Sequence, residues 1–566
     1  MNPFGIDFGT TNSVLAQWNG VEAEVLSIDT PPGQWQNMGF DRVLPSVLGI
    51  GDAGEALFGW NAKRATGGKL NAVKRLFATE NTVDINGHVV SVEEAAALLF
   101  AHIRSASAGV TVNRSVVTIP ANSRGLARYR TKVSAGLAGI EVQALVNEPT
   151  AAAMAFSIDA THDQNVLVFD WGGGTLDVTV LETIEGVFIE RASKGIPRSG
   201  GIDLDEVFAN AITAQLPSAP SWSPAEEAQF RLEVERVKIL LSDQHETNLQ
   251  LPSGRYVPVT RELFIKAISG KLHEAIQPIR QCLSDLSIDP RGIDQLVMVG
   301  GSSKIPAARQ LVSEVLGREP ATGADPMTAV AQGAAIASAI LLGQLDKDFF
   351  VATEHALGTV VHNDGRPSFS VLIPRNHQLP AKATDSYVPA AEGQSSVLVR
   401  VIEGDPTKPV EHEDNVVLKE WPIPVEPTRS QADASFTITY EYNVDGILHI
   451  TVVDQLTGRQ MLRDDVSFGV TKDKTALVEL AKRVHATMQT GTVNGSGRRV
   501  PVPMVDAEAA RLVDRARNKV IPFVDDEEAK RLEAICGDLE HASGDGLVEC
   551  KGALTEALRQ YAYLMV

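Results

Sequence analysis

Cysteine is scarce in this chain. Cys282, Cys536 and Cys550 are the three in 566 residues, an odd number with no C-x-x-C pair. A disulfide framework and a cysteine-rich zinc site are excluded, and buried thiols in a reducing compartment are expected. Positive charge is also short, leaving a net charge of −20. That balance argues against nucleic acid or an anionic membrane as the main partner. Long apolar runs are missing: the most apolar stretch, Ala329 to Gly343, carries Gln332 and Ser338 and is too short to span a bilayer. No G-x-x-x-x-G-K-[ST] occurs, so this is not a P-loop protein. Strand signal starting at Phe4 leaves no room for a signal peptide, and a cytoplasmic location is expected. The remaining composition, 44% apolar and 22% charged, is that of a globular protein with length for two or three full cores.

What the chain does have is a repeated turn. Val166 to Leu181 reads as a strand ending on Asp170, three glycines at 172–174, Thr175, and a second strand leaving through Asp177. Consecutive glycines let backbone N–H groups approach an anion closely, with carboxylates at the edges to face a metal-bound phosphate. Alone, the pattern fits a tight hairpin with solvated carboxylates equally well. But Phe4 to Ala16 repeats it: Asp7 matches Asp170, Gly9 matches Gly172, and Thr10 and Thr11 stand near where Thr175 falls, followed by Asn12. A third turn, Gly300-Gly301-Ser302-Ser303-Lys304, joins a strand to a helix, where free N–H groups and a dipole favour anions. Two copies suggest an internal duplication whose hairpins grip phosphates from opposite sides.

Residues 1–345 alternate strand and helix signals, an α/β organisation wound around two sheets if the duplication is real. Residues 346–356 read as an interdomain linker, although a loop packed onto its own domain fits as well. From 357 to 470 helix signals vanish; Phe436, Ile438, Tyr440 and Tyr442 alternate with polar residues before Asp445-Gly446, which marks an antiparallel β domain. Residues 471–566 are expected to form a short helical region.

These residues carry a family resemblance. Gly5-Ile-Asp-Phe-Gly-Thr-Thr-Asn-Ser13, Val73-Lys-Arg-Leu76, Asn147-Glu-Pro-Thr-Ala-Ala-Ala153, Phe169 to Val178 and Val299 to Pro306 resemble the heat-shock protein 70 (DnaK-type) chaperones. Leu372 to Asn376, Val401 to Asp405 and Asp445 to Leu448 resemble that family's peptide-binding β-sandwich. The resemblance implies an actin-like ATPase domain of two lobes, a β-sandwich and a helical lid. It implies ATP/ADP and Mg2+ as cofactors, with extended client peptides, J-domain co-chaperones and a nucleotide exchange factor as partners, and a monomer. Lys74 would contact the transferred phosphate, Glu148 would arrange the attacking water, and Thr175 would face the γ-phosphate. Asp7 and Asp170 would hold magnesium through water, and Asp177 would help orient the attacking water. Gly9, Thr10, Thr11, Asn12, Gly172, Gly173, Gly174, Gly200, Gly201, Gly300, Gly301, Ser302 and Lys304 would bind phosphates and ribose, and Glu235, Lys238 and Ser242 the adenosine. Tyr387, Ala390, Val397 and Val399 fall on peptide-arch and pocket positions, where ordinary sandwich core is the other reading. Pro120 and Arg128 match the family's allosteric proline and arginine, and Phe349 and Phe350 would be the docking segment of the linker.

Departures accompany the matches. Gly195-Ile-Pro-Arg-Ser-Gly-Gly201 has lost the family's Asp and Thr between its glycines, and Ile239 stands where the family places an arginine that stacks on adenine. Lys304 replaces an arginine, and Met327 replaces an acidic residue. Ala144 stands where the family has an arginine that meets J-domain proteins, which argues against standard stimulation. An ATP-gated chaperone with slow turnover is therefore the leading expectation. The alternative is a low-turnover ATP-binding scaffold or sensor that holds one partner.

Overall fold

The structure is a computed structural model describing every residue except 1, 107–109, 122, 124, 158–161, 185–186, 347–352, 354, 364–365, 376, 413–414, 444–447, 467–473, 494–511, 514–515, 522–523, 525, 543–544 and 560–566. Phe349, Phe350, most of the expected linker and the Asp445-Gly446 turn lie outside the described residues. By compactness the chain divides into a large unit, Met1–Glu80 with Asp84–Val493, and a small one, Asn81–Val83 with Asn494–Val566.

The large unit is mixed α/β in its first part and antiparallel β in its second. Strand Phe4–Phe8 turns back as Asn12–Trp18, which pairs with Ala23–Leu26; on the other side Phe4–Phe8 pairs in parallel with Arg114–Ile119, and that with Glu141–Asn147. The second sheet repeats this order. Gln164–Trp171 turns back as Thr175–Ile184, which pairs with Val187–Pro197, while Gln295–Val299 lies parallel on the far side. Each hairpin turn thus sits at the C-terminal end of its sheet's central strand, where open α/β sheets place ligands.

Two helices cross between the sheets. Glu148–Ala155 begins with proline in its first turn, as helix starts favour, and Ala329–Leu341 is alanine-rich and buried on most sides. Small residues permit the close approach. A Cβ on Gly333 would stand 1.8 Å from the Ala151 carbonyl oxygen, and one on Gly5 would stand 2.2 Å from the Ala335 nitrogen. The second sheet buries its outer face under Gly201–Thr213, Pro224–Asp243, Arg261–Ala275 and Gln277–Leu286. Helix Pro224–Asp243 starts on a Ser223/Glu226 capping box and buries Phe230, Val234, Val237 and Leu241 at helical spacing. That spacing leaves Glu235, Lys238 and Ser242 on an adjoining face.

Residues 356–465 form two four-stranded antiparallel sheets. Phe436, Ile438, Tyr440 and Tyr442 point inward as their alternation requires, meeting Leu357, Val399 and Val401 in one core. Helix Lys474–Thr490, expected to open the helical region, packs within the large unit against Val92–Ala106. There Arg483 grips Glu94 through two parallel bonds of 3.0 and 2.6 Å. In the small unit, helices Asp526–His541 and Asp545–Arg559 pack through Leu532, Cys536, Leu539, Leu554 and Leu558. None of the three cysteines is in a disulfide, and Cys282 and Cys536 are buried.

Candidate functional site

The two hairpin turns meet face to face and fit only because one of them is glycine. A Cβ on Gly173 would stand 2.0 Å from Thr11 Oγ1, and one on Gly174 would stand 2.6 Å from Thr10 Cγ2. The carbonyls of the glycine turn are all anchored away from this contact. Gly172 O accepts from Gly201 N and Ser302 Oγ, Gly173 O from Ile202 N, and Gly174 O from Arg75 Nη2. A trans peptide points its N–H opposite to its carbonyl, so the N–H groups of Gly173, Gly174 and Thr175 are turned the other way. Those residues line a cleft shared with Asp7, Gly9, Thr10, Thr11, Asn12, Lys74, Pro120, Glu148, Asp170, Gly172, Gly300, Gly301 and Met327. The structure therefore brings most of the expected phosphate-side residues into one place.

The remaining ones stand just behind or beside it. Asp177 is the cross-strand partner of Asp170, which sets the two on one face of the sheet. Gly200 and Gly201 back the glycine turn, where a Cβ on Gly200 would stand 2.4 Å from the Gly173 carbonyl carbon. Gly300 holds φ at +82°, and its Cβ would stand 2.4 Å from the Trp171 carbonyl oxygen. Gly300→Ala is accordingly expected to weaken ATP binding at least about tenfold by calorimetry, because a left-handed backbone alone costs roughly 1–3 kcal/mol before the clash is counted.

Charge in the cleft is unbalanced. Lys74 Nζ lies 2.7 Å from Glu148 Oε1, with both side chains largely buried. Burial works against the Lys74 ammonium, but Glu148 and Asp7 outweigh it and hold its pKa above the ordinary lysine range. Burial and then Glu148 push the Asp7 carboxyl up to about 7, against the pull of Lys74 and a 3.1 Å hydrogen bond from Thr118. Asp170 is pushed well above the carboxylate range by burial, Glu148, Asp177 and Asp7. Several acids around one lysine cannot all ionise without more positive charge. A divalent cation fits that need. Among the described residues no three acidic, histidine or cysteine side chains form a direct metal cage. Magnesium keeps several waters and needs only one or two carboxylates, a demand that Asp7 and Asp170 could meet.

A family model described as Hsp70 protein matches residues 74–562. The chain belongs to the Hsp70 family. It is 32% identical over 500 residues to the chaperone protein DnaK of one Thermus thermophilus strain, covering 81% of this chain and 79% of that protein. A second strain of the same organism supplies a DnaK at 31% identity over the same span. Hsp70 proteins are ATP-dependent chaperones that hydrolyse ATP, and this chain is one of them.

In this Hsp70 the residues expected to meet the adenosine, and Lys304, are outside the lining of that cleft, and three of them hold ion pairs with other side chains. Glu235 pairs with Lys63 at 2.7 Å, Lys238 with Asp205 at 2.8 Å, and Lys304 with Asp325 at 2.7 Å. Ser242 is half-buried near the end of its helix. Ile239 packs with Met38 and Met327 into the cluster of Trp35, Phe40 and Trp60, so apolar contact stands where the family places an arginine. Lys63 Nζ lies 5.2 Å from the Trp35 ring centre and 5.1 Å from that of Trp60. Sequence reading missed this cluster, whose aromatic members Trp35, Phe40 and Trp60 follow neither helical nor strand spacing.

It also missed the groups that fix Lys74. Arg75 Nη2 bonds Asp203 at 2.8 Å as well as the Gly174 carbonyl. Buried Arg130 donates to the carbonyls of Phe77 and Glu80, each at 2.6 Å, and to Glu93 at 2.7 Å. Together they pin the short 3-10 turn Val73–Leu76 that presents Lys74.

The regulatory and peptide positions fall as follows. Pro120 lines the cleft, and its carbonyl accepts from Ser123 N at 2.9 Å. Arg128 donates to the Ser123 carbonyl at 2.8 Å, to the Tyr442 hydroxyl and to Glu403 at 3.3 Å. Ala144 is fully buried. Val399 is part of the sandwich core, Tyr387 and Val397 pack against it half-buried, and Ala390 is exposed. Tyr387 shares a 3.1 Å hydrogen bond with Ser370.

Proposed function

We propose that this Hsp70 is an ATP-gated holder of extended apolar peptide segments. In this reading residues 1–345 are an actin-like ATPase domain of two related lobes, 346–356 the linker, 357–470 the peptide-binding β-sandwich and 471–566 a short lid. The repeated strand order of the two sheets supports the two-lobe reading, and the paired sheets of residues 356–465 support the sandwich. The reading of a single lid beginning at 471 must accommodate a first helix that packs within the large unit.

Lys74 contacts the transferred phosphate, Glu148 orients the attacking water, and Thr175 with the glycine-turn N–H groups holds the γ-phosphate. Asp7 and Asp170 would hold magnesium through water, and the ion would neutralise phosphate charge during transfer. Such a site works by positioning and charge rather than covalent chemistry. Glu235, Lys238 and Ser242 face the adenosine, with the Ile239 cluster offering an apolar surface for the base. Tyr387, Ala390, Val397 and Val399 border the peptide site.

The observation that carries the coupling is Arg128. It is 5% exposed, and it joins the Pro120 turn at the cleft to Tyr442 and Glu403 of the sandwich. Single-turnover ATP hydrolysis with and without a panel of extended apolar peptides tests the proposal. A peptide-dependent rate is expected; hydrolysis indifferent to every peptide would favour the scaffold or sensor reading. The burial of Ala144 gives that second reading one point of support, since the position offers a J-domain protein no surface. A J-domain protein and a nucleotide exchange factor accordingly remain partners to be tested by the same assay, and a cytoplasmic monomer is the proposed working form.

A further inference from the structure

Arg375 follows the sandwich strand Arg366–Ile373, and its Nη2 lies 2.8 Å from Glu190 Oε1. Glu190 belongs to the strand Val187–Pro197 of the second sheet and is 8% exposed. Its other oxygen accepts from Asn147 Nδ2 at 3.3 Å. Asn147 is the residue before Glu148 at the start of its helix, and it is in register with Ile119, the neighbour of Pro120. Glu148 in turn holds Lys74 at 2.7 Å. A short run of polar contacts therefore leads from a sandwich cation to the catalytic pair, through hydrogen bonds that Arg128 does not make.

The two ends of the Arg375–Glu190 pair are unequal. The Arg375 side chain is 39% exposed, while that of Glu190 is 7% exposed. A carboxylate in such a place needs a cation or a hydrogen-bond donor to stay charged. Burial raises the Glu190 carboxyl, and Arg375, Asn147 and Arg128 pull it back. If the sandwich moves away, Arg375 goes with it. Glu190 must then gain a proton or lean harder on its remaining donors, and either response changes the acceptor that holds Asn147. Asn147 is bonded covalently to Glu148, and a shift of 1 Å in a positioning group can cost about 100-fold in rate.

We propose that Glu190 is a positioning residue for hydrolysis, setting Glu148 through Asn147 according to whether Arg375 of the sandwich is in place. This rests on the peptide-gated reading above.

The test is single-turnover hydrolysis by the full chain, with and without a fluorescein-labelled leucine-rich extended peptide, for wild type, Glu190→Gln, Arg375→Met and the double variant. Each single variant is expected to shrink the peptide-dependent rate change about fivefold or more, the scale of an ordinary coupling energy. The double variant should lose no more than the larger single loss, because one contact is removed either way. ATP affinity of Arg375→Met by calorimetry should match wild type. A wild-type peptide response in Glu190→Gln or in Arg375→Met, or additive losses in the double variant, would overturn the proposal. Arg375 is at the surface, so that variant decides alone if Glu190→Gln does not fold. A wild type that ignores peptide defeats the peptide-gated reading itself, whereas a responsive wild type with equally responsive variants defeats only the role of Glu190.

Discussion

Replacing Lys74 by alanine, or Glu148 by glutamine, is expected to slow single-turnover ATP hydrolysis by about 100- to 1,000-fold, the usual loss when one preorganised group facing developing charge is removed. The two side chains form a buried ion pair at 2.7 Å. Their variants should differ in a second readout. Lys74→Ala removes the cation beside Glu148, Asp7 and Asp170, whose carboxyls are already crowded. Removing one partner of a buried pair costs roughly 3–5 kcal/mol, so this variant should also melt at a lower temperature unless magnesium and nucleotide are present. Glu148→Gln removes one of the crowding acids and should leave stability near wild type. Chemical quench measures the first effect and calorimetric melting the second. Hydrolysis within about tenfold of wild type in both variants, a loss of only ~1.4 kcal/mol of barrier, would remove these residues from the reaction.

Arg128→Ala should abolish ATP-driven peptide release while ATP still binds. Arg128 is 5% exposed, and its removal takes one cation away from the carboxylate of Glu403, 3% exposed. The cost of removing one partner of a buried pair, roughly 3–5 kcal/mol, then falls on the arrangement in which Arg128 meets the sandwich. At 1.4 kcal/mol per tenfold, docking weakens by a factor of about 100 to several thousand. ATP can alter peptide affinity only through an arrangement that it favours, and that arrangement would no longer be populated. The measurement is the dissociation rate of a labelled peptide with and without ATP. Acceleration by ATP in wild type that persists in Arg128→Ala would place the coupling elsewhere. The double variant Arg128→Ala/Glu403→Gln should recover part of the response, because it removes the carboxylate that lost the Arg128 cation.

Much of the candidate cleft was legible along the chain because each of the turns that line it is local. Asp7 to Asn12, Asp170 to Asp177 and Gly300 to Lys304 are each continuous stretches whose glycines, hydroxyls and carboxylates reveal the chemistry without knowledge of the neighbours. Inward alternation at Phe436 to Tyr442 and the capping box at Ser223 are likewise local signals. The supports were not legible. Arg75 reaches Asp203 across 128 positions, Arg128 reaches Tyr442 across 314, and Arg483 reaches Glu94 across 389. An arginine in a helix pattern looks like solvated surface until the fold supplies its carboxylate.

The sequence by itself determined where strands, turns and helices begin, because backbone preference and hydrophobic period act over a few residues. It also determined which chemistry the turns could support, since glycine, threonine, aspartate and lysine have fixed donor and charge properties. Tertiary structure decided how those groups act together. It placed the threonines of one hairpin against the glycines of the other, crowded Asp7, Asp170 and Glu148 around Lys74, and packed Ile239 into an aromatic cluster rather than leaving it open. It also set Arg375 beside Glu190. Distance in space and loss of water set the strength of each such interaction, and neither quantity exists until the chain has folded.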